Sequence, residues 1–144
     1  MVSPHGLDRF VTAQAGVIED VRAELRAGRK ASHWMWFVFP QLKALGRSAT
    51  ALHYGIASLA EARAYLAHPV LGARLRECCA LMLQVPGRGA HEILGSPDDL
   101  KFRSCCTLFA LAQPQEPLFR QCLERFYGGQ EDERTMALCA HESG

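Results

Sequence analysis

The chain has 144 residues, 49% of them hydrophobic, with 16 Lys and Arg against 15 Asp and Glu for a net charge of +1. That length accommodates one domain with a sizeable core, burying roughly two-thirds of the unfolded surface. The charge balance excludes the basic surplus of a chain whose main partner is nucleic acid.

Residues 7–27 carry Phe10, Val11, Gln14, Val17, Ile18, Val21 and Leu25 at three-four spacing. This predicts one amphipathic helix, with Gly28 as its left-handed stop. The run from Lys30 to Gln41 follows and holds both tryptophans, Trp34 and Trp36, with Phe37, Val38 and Phe39 close behind. A strand there would lack a partner for its ladder, so residues 33–39 read as an extended or single-turn segment buried under helices. A short helix is expected from Ser48 to Tyr54, ending near Gly55. Ser58 and Glu61 then have the spacing of a capping box opening a helix to about Ala67.

Pro69 suits the first turn of the next helix, which carries Leu71, Leu75, Cys78, Cys79, Met82 and Leu83 inward up to Val85. Pro86-Gly87-Arg88-Gly89 is the strongest loop signal; it reads as a turn in preference to an anion-binding loop. After a brief turn at residues 91–94, Ser96 is expected as a cap and Pro97 as the first position of a helix with Leu100, Cys105, Leu108, Phe109 and Ala112 inward. Leu118, Phe119, Cys122, Leu123 and Phe126 mark another helix, stopped by Gly128-Gly129. A last short one runs from about Glu131 to Ala140, capped by Asp132 and Thr135. The fold class is all-α: one 1–144 domain, a bundle of about seven helices, with residues 1–6 and 141–144 as frayed tails.

No apolar run approaches the ~20 residues of a membrane span, and the N-terminal residues lack a secretion-signal pattern. A cytoplasmic location and no membrane partner are the expectation. Six cysteines fit that compartment as small buried hydrophobes. No Cys-x-x-Cys spacing is present, so neither a metal nor a cofactor is expected.

Two stretches place polar groups within an apolar pattern. In the first, Lys30, His33, Trp34, Trp36 and Gln41 gather large flat rings and a few polar tips, the composition of a small-ligand pocket. Tyr54 either adds a phenol to it or ends a helix. His33, with a reference pKa of about 6.5, can serve as a general base or simply pack with a satisfied ring nitrogen. Stacking on an aromatic ring is worth about 1–3 kcal/mol per base, enough to dominate affinity for a nucleotide-like ligand. In the second, Asp98, Asp99, Lys101, Arg103, Ser104 and Thr107 lie in one predicted helix, and Lys101, Ser104 and Thr107 share a face. Asp98 and Asp99 also suit a helix start without any ligand, whereas Ser104 and Thr107 are poor mid-helix residues unless they bond something.

Taken together, Asp8-Arg9-Phe10, Gln14, Gly28-Arg29-Lys30, the run Ser32 to Gln41, Tyr54-Gly55-Ile56, His68-Pro69, Asp98 to Lys101, Ser104, Thr107 to Phe109, Asp132 and Thr135 resemble the bacterial domain-of-unknown-function family 1810. The resemblance covers nearly the whole chain and implies a compact, mostly helical single domain, without a mechanism. Members sometimes carry the label calpastatin, a protease inhibitor. A disordered inhibitor would be rich in proline and charge with few aromatics, unlike this chain. Cys105-Cys106 departs from the Ser-Met usual in the family, which weakens any cysteine-based chemistry.

Two function classes follow. The first is a binding domain or enzyme for a small anionic, nucleotide-like or ADP-ribose-like ligand, held between the aromatic segment and the helix after Pro97. Asp98, Asp99 and His33 are its candidate catalytic groups. Lys30, Trp34, Trp36, Gln41, Tyr54, Lys101, Ser104 and Thr107 are its candidate ligand contacts. The second is a non-catalytic interaction module that uses the tryptophans as protein-contact hot spots. Burial discriminates the two, since tryptophans in a cleft favour the first and tryptophans on a flat exposed patch the second, while both fully buried as core would remove the motivation for either.

Overall fold

A computed structural model describes residues 4–140. Ten α-helices lie among them: α1 Asp8–Ala15, α2 Ile18–Arg26, α3 Met35–Val38, α4 Ala49–His53, α5 Leu59–Ala67, α6 Leu71–Gln84, α7 Ala90–Leu94, α8 Asp98–Ala112, α9 Pro117–Tyr127 and α10 Glu133–Cys139. Seven of the ten have seven residues or more, and 3-10 turns occupy Pro4–Gly6 and Lys43–Leu45. The described residues contain no strand; one isolated parallel bridge joins Leu42 to Ile56. The architecture is the all-α domain that the periodicities predict. Of the expected tails, residues 4–6 form the first 3-10 turn, while 1–3 and 141–144 lie outside the described residues.

Local chemistry accounts for most boundaries. Ser48 Oγ accepts from the Ala51 N–H to start α4, and Ser58 Oγ accepts from the Glu61 N–H to start α5. Asp132 accepts from both the N–H and the hydroxyl of Thr135 to start α10. Gly28, at φ 73°, takes the left-handed conformation just past α2.

Three boundaries differ from expectation. The stretch 7–27 is two helices, because Gly16 and Val17 interrupt it; Val17, at φ −129°, leaves the helical region. The apolar spacing nevertheless carries across the break, so Phe10 and Gln14 are buried from α1 and Ile18, Val21 and Leu25 from α2. Ser96 is not the cap of α8, whose preceding residue is Pro97 with no side-chain cap bond; the Asp99 N–H is taken by the Gly95 carbonyl instead. Pro69 stands before α6, where His68 Nδ1 accepts from the Val70 and Leu71 N–H groups.

Helix α8 runs through the centre and packs against α5, α7, α9 and α10, while α6 packs against α2, α5 and α9. Phe102, Cys105, Cys106, Leu108 and Phe109 of α8 are fully buried. The aromatic segment closes this core: Trp34 lies 6.0 Å from Phe39, and Phe39 lies edge-on to Phe102 at 4.7 Å. Edge-to-face pairs add ~0.5–1.5 kcal/mol beyond the area they bury, so this chain of rings fixes α3 to α8. Gln14, buried in α1, donates to the Phe37 carbonyl at 2.6 Å and to the Tyr65 hydroxyl at 3.1 Å, tying the same segment to α5.

Candidate ligand cleft

The segment after α2 is positioned by a carboxylate. Glu24 accepts from the Ala31 N–H at 2.7 Å, the Ser32 N–H at 3.0 Å, the Ser32 hydroxyl at 2.6 Å and the Trp34 indole N–H at 2.9 Å. Burial alone would raise this carboxyl; the hydrogen bonds from Ser32, Ala31 and Trp34 outweigh it and hold it down at about 2. Lys30 is set from the other side, its N–H bonded to the Ile93 carbonyl of α7 at 2.7 Å. Arg88 bridges the Gly28 and Glu92 carbonyls, so the Gly87-Arg88-Gly89 turn is a strap across this segment and its guanidinium is occupied.

With the backbone so held, the aromatic segment meets the first turns of α8. Lys30 Nζ is 3.0 Å from Asp98 Oδ2, with the lysine side chain 9% exposed and the aspartate 19%. Lys101 Nζ reaches the other oxygen of Asp98 at 3.8 Å. Each lysine also lies over a tryptophan: Lys30 is 5.2 Å from the Trp34 ring and Lys101 is 5.4 Å from the Trp36 ring. Asp98 is therefore shared between two cations. A carboxylate so placed organises charge.

Two depressions meet beside Lys101. A narrow slot of about 10 Å³ lies among Met35, Trp36, Phe39, Gln41, Tyr54 and Lys101, room for about one water. A wider cleft of about 320 Å³ shares Gln41 and Lys101 with it and adds Pro97, Leu100, Arg103, Ser104, Asp132 and Arg134. That volume is at the lower end for a small-ligand site. Leu100, 51% exposed, stands at its rim.

Of the residues singled out in the sequence, Trp36, Gln41, Tyr54, Lys101 and Ser104 line these depressions, and Lys30 and Asp98 form the ion pair behind them. Ser104 donates to the Leu100 carbonyl at 3.2 Å, which leaves only lone pairs for the cleft. Four residues are elsewhere. Trp34 is fully buried with its N–H committed to Glu24. Thr107, also buried, donates to the Arg103 carbonyl and accepts from the Asp132 N–H. His33 is exposed and lines neither depression. Asp99 faces α7, with Oδ2 3.5 Å from His91 Nδ1, and its backbone carbonyl accepts from the Tyr127 hydroxyl.

Several contributors lack a local sequence signal. Glu24 falls off the apolar stripe of α2, and its partners come seven to ten residues later, beyond the end of the helix. Arg103 belongs to the polar stretch of α8 but gains a role only from α10, which brings Arg134 to the same cleft. Among the described residues no helix is long and apolar enough to cross a membrane, and no three His, Cys, Asp or Glu side chains are grouped to hold a metal ion.

A comparison with curated proteins returned no match. Among solved structures, the chain is similar to the crystal structure of the conserved hypothetical protein Rv1873 from Mycobacterium tuberculosis. The two are 57% identical, with a TM-score of 0.94, over 96% of this chain and 99% of that one. The model of a family described as protein of unknown function, DUF1810, matches residues 4–139, and the chain belongs to that family.

Proposed function

We propose that this domain binds a small anionic, nucleotide-like ligand at the junction of the aromatic segment and α8. The observation that carries the reading is Lys101. It lines both depressions, lies over the Trp36 ring and is held only loosely by Asp98. A flat ring would stack on the outer face of half-buried Trp36, beside the amide of Gln41 and the phenol of Tyr54. The narrow slot requires Trp36 or Tyr54 to swing for any deeper entry. The ligand's charge would sit at Lys101.

Binding is favoured over acid-base catalysis because Asp98 is shared between two lysines and His33 lies outside the cleft. The interaction-module reading loses its support, since Trp34 is core and Trp36 is half-buried in place of an exposed aromatic patch. A cytoplasmic setting accords with six buried cysteines, none of them in a disulfide.

A thermal-shift screen of nucleotides and sugar phosphates tests the reading. A ligand at ~100 times its dissociation constant adds about 2.7 kcal/mol of stability, and Trp36→Ala or Lys101→Gln should abolish that gain. A screen in which no anionic ring compound shifts the transition overturns the proposal.

A further inference from the structure

We propose that the wider cleft beyond Lys101 is a phosphate seat whose principal donors are the guanidinium groups of Arg103 and Arg134. This rests on the nucleotide-like ligand proposed above and names the group that ligand places there. Neither arginine forms an ion pair among the described residues. Nε of Arg103 is buried and has no hydrogen-bond partner. A guanidinium carries five donors and stays charged, so a buried donor without an acceptor is a cost that an incoming anion would relieve.

The Arg103 side chain and the backbone that carries Arg134 are held in position by groups that are themselves satisfied. The Arg103 guanidinium carbon lies 5.8 Å from the centre of the Tyr127 ring, which supports its plane. Thr107 of α8 donates to the Arg103 carbonyl at 2.8 Å and accepts from the Asp132 N–H at 2.9 Å, locking α8 to the start of α10 and hence to Arg134. Asp132 is the one acid lining the cleft, and its Oδ2 is engaged by the Thr135 N–H and hydroxyl. Lys101, Arg103 and Arg134 thus outnumber Asp132 and the Asp98 that Lys101 also touches at 3.8 Å, in a chain whose net charge is only +1. Of the two glutamates that border the neighbouring depression with these arginines, Glu131 is paired with Arg120. A carboxylate ligand offers one charge and two acceptor oxygens, whereas a phosphate offers up to two charges and three oxygens. Three converging cations, two of them forked donors, match the phosphate.

Titration calorimetry of the full chain with inorganic phosphate, adenosine and adenosine 5′-monophosphate separates the phosphate from its carrier. The monophosphate should bind at least tenfold more tightly than adenosine. Arg103→Lys, which keeps the charge but loses the fork, should weaken inorganic phosphate at least tenfold and leave adenosine within twofold. Arg134→Gln should do the same, and its exposed side chain keeps the test valid if Arg103→Lys fails to fold. Phosphate affinity unchanged by Arg134→Gln, or adenosine bound as tightly as its monophosphate, overturns the seat while leaving ring binding at Trp36 intact. Arginine-dependent phosphate binding without any adenosine binding supports the seat and overturns the ring reading instead.

Discussion

Glu24 stands outside the apolar stripe of its helix, yet it accepts four hydrogen bonds from the segment that carries both tryptophans. Its folded pKa of about 2 lies below the usual 4.5. The resulting stabilisation is therefore fully present above about pH 4.5 and is lost as pH falls through about 2. Discounted for solvent screening of a partly exposed carboxyl, it is on the order of 1–2 kcal/mol. Glu24→Gln should lower the unfolding free energy at pH 7 by about that amount and flatten its fall toward pH 3. Urea unfolding at the two pH values measures both, and an unchanged acid limb in the variant would contradict the role. Lys30 and Asp98 make a second residue-scale case. Asp98→Asn leaves a nearly buried ammonium without its counter-charge and should cost about 2–3 kcal/mol, whereas His33→Ala, on an exposed side chain, should stay within about 0.5 kcal/mol. Equal effects for the two, measured by thermal unfolding, would mean that the ion pair does not hold the segment.

At the scale of elements, the chain announces its helices where the signal is local. Ser48, Ser58 and Asp132 cap as their spacing implies, and Gly28 and Gly128 end α2 and α9 with positive φ. The reading fails where a neighbour decides. His68 caps α6 through a ring nitrogen, which no spacing rule announces, and the Gly95 carbonyl takes the amide that Ser96 was expected to serve. Two glycines test how tightly the elements meet. A Cβ at Gly16 would meet nothing within 4 Å and its φ is −85°, so Gly16→Ala should be neutral or stabilise by up to about 1 kcal/mol through the unfolded chain. A Cβ at Gly72 would lie 2.1 Å from the Leu66 carbonyl oxygen, where α5 passes α6. Gly72→Ala should therefore cost about 1–3 kcal/mol as the helices part. Melting temperatures that move the same way in both variants would contradict this packing.

Across the whole molecule, α8 joins the two concerns of the chain: its middle is core and its first turns border the cleft. All six cysteines are buried and none is in a disulfide. Burial raises the thiols of Cys79, Cys105 and Cys106 well above their usual range, while hydrogen bonds with Cys106 and Cys79 lower that of Cys122 to about 5, so their protection rests on inaccessibility. Native protein should thus resist a thiol reagent that titrates six groups after denaturation. The meeting of the aromatic segment with α8 was legible, because both stretches hold polar groups that an apolar pattern does not explain. The allocation of roles within it was not. Trp34 and Trp36 are two residues apart in the chain, and only the turn of α3 sends one to the core and the other to the cleft rim. That division also supplies the most direct measurement, since the chain contains just these two tryptophans. Tryptophan emission of the full chain, titrated with adenosine 5′-monophosphate, should quench saturably, and Trp36→Phe should remove the response while Trp34 still reports a folded core. An emission unchanged by millimolar nucleotide, or a quench that persists in Trp36→Phe, would contradict ligand binding at this cleft.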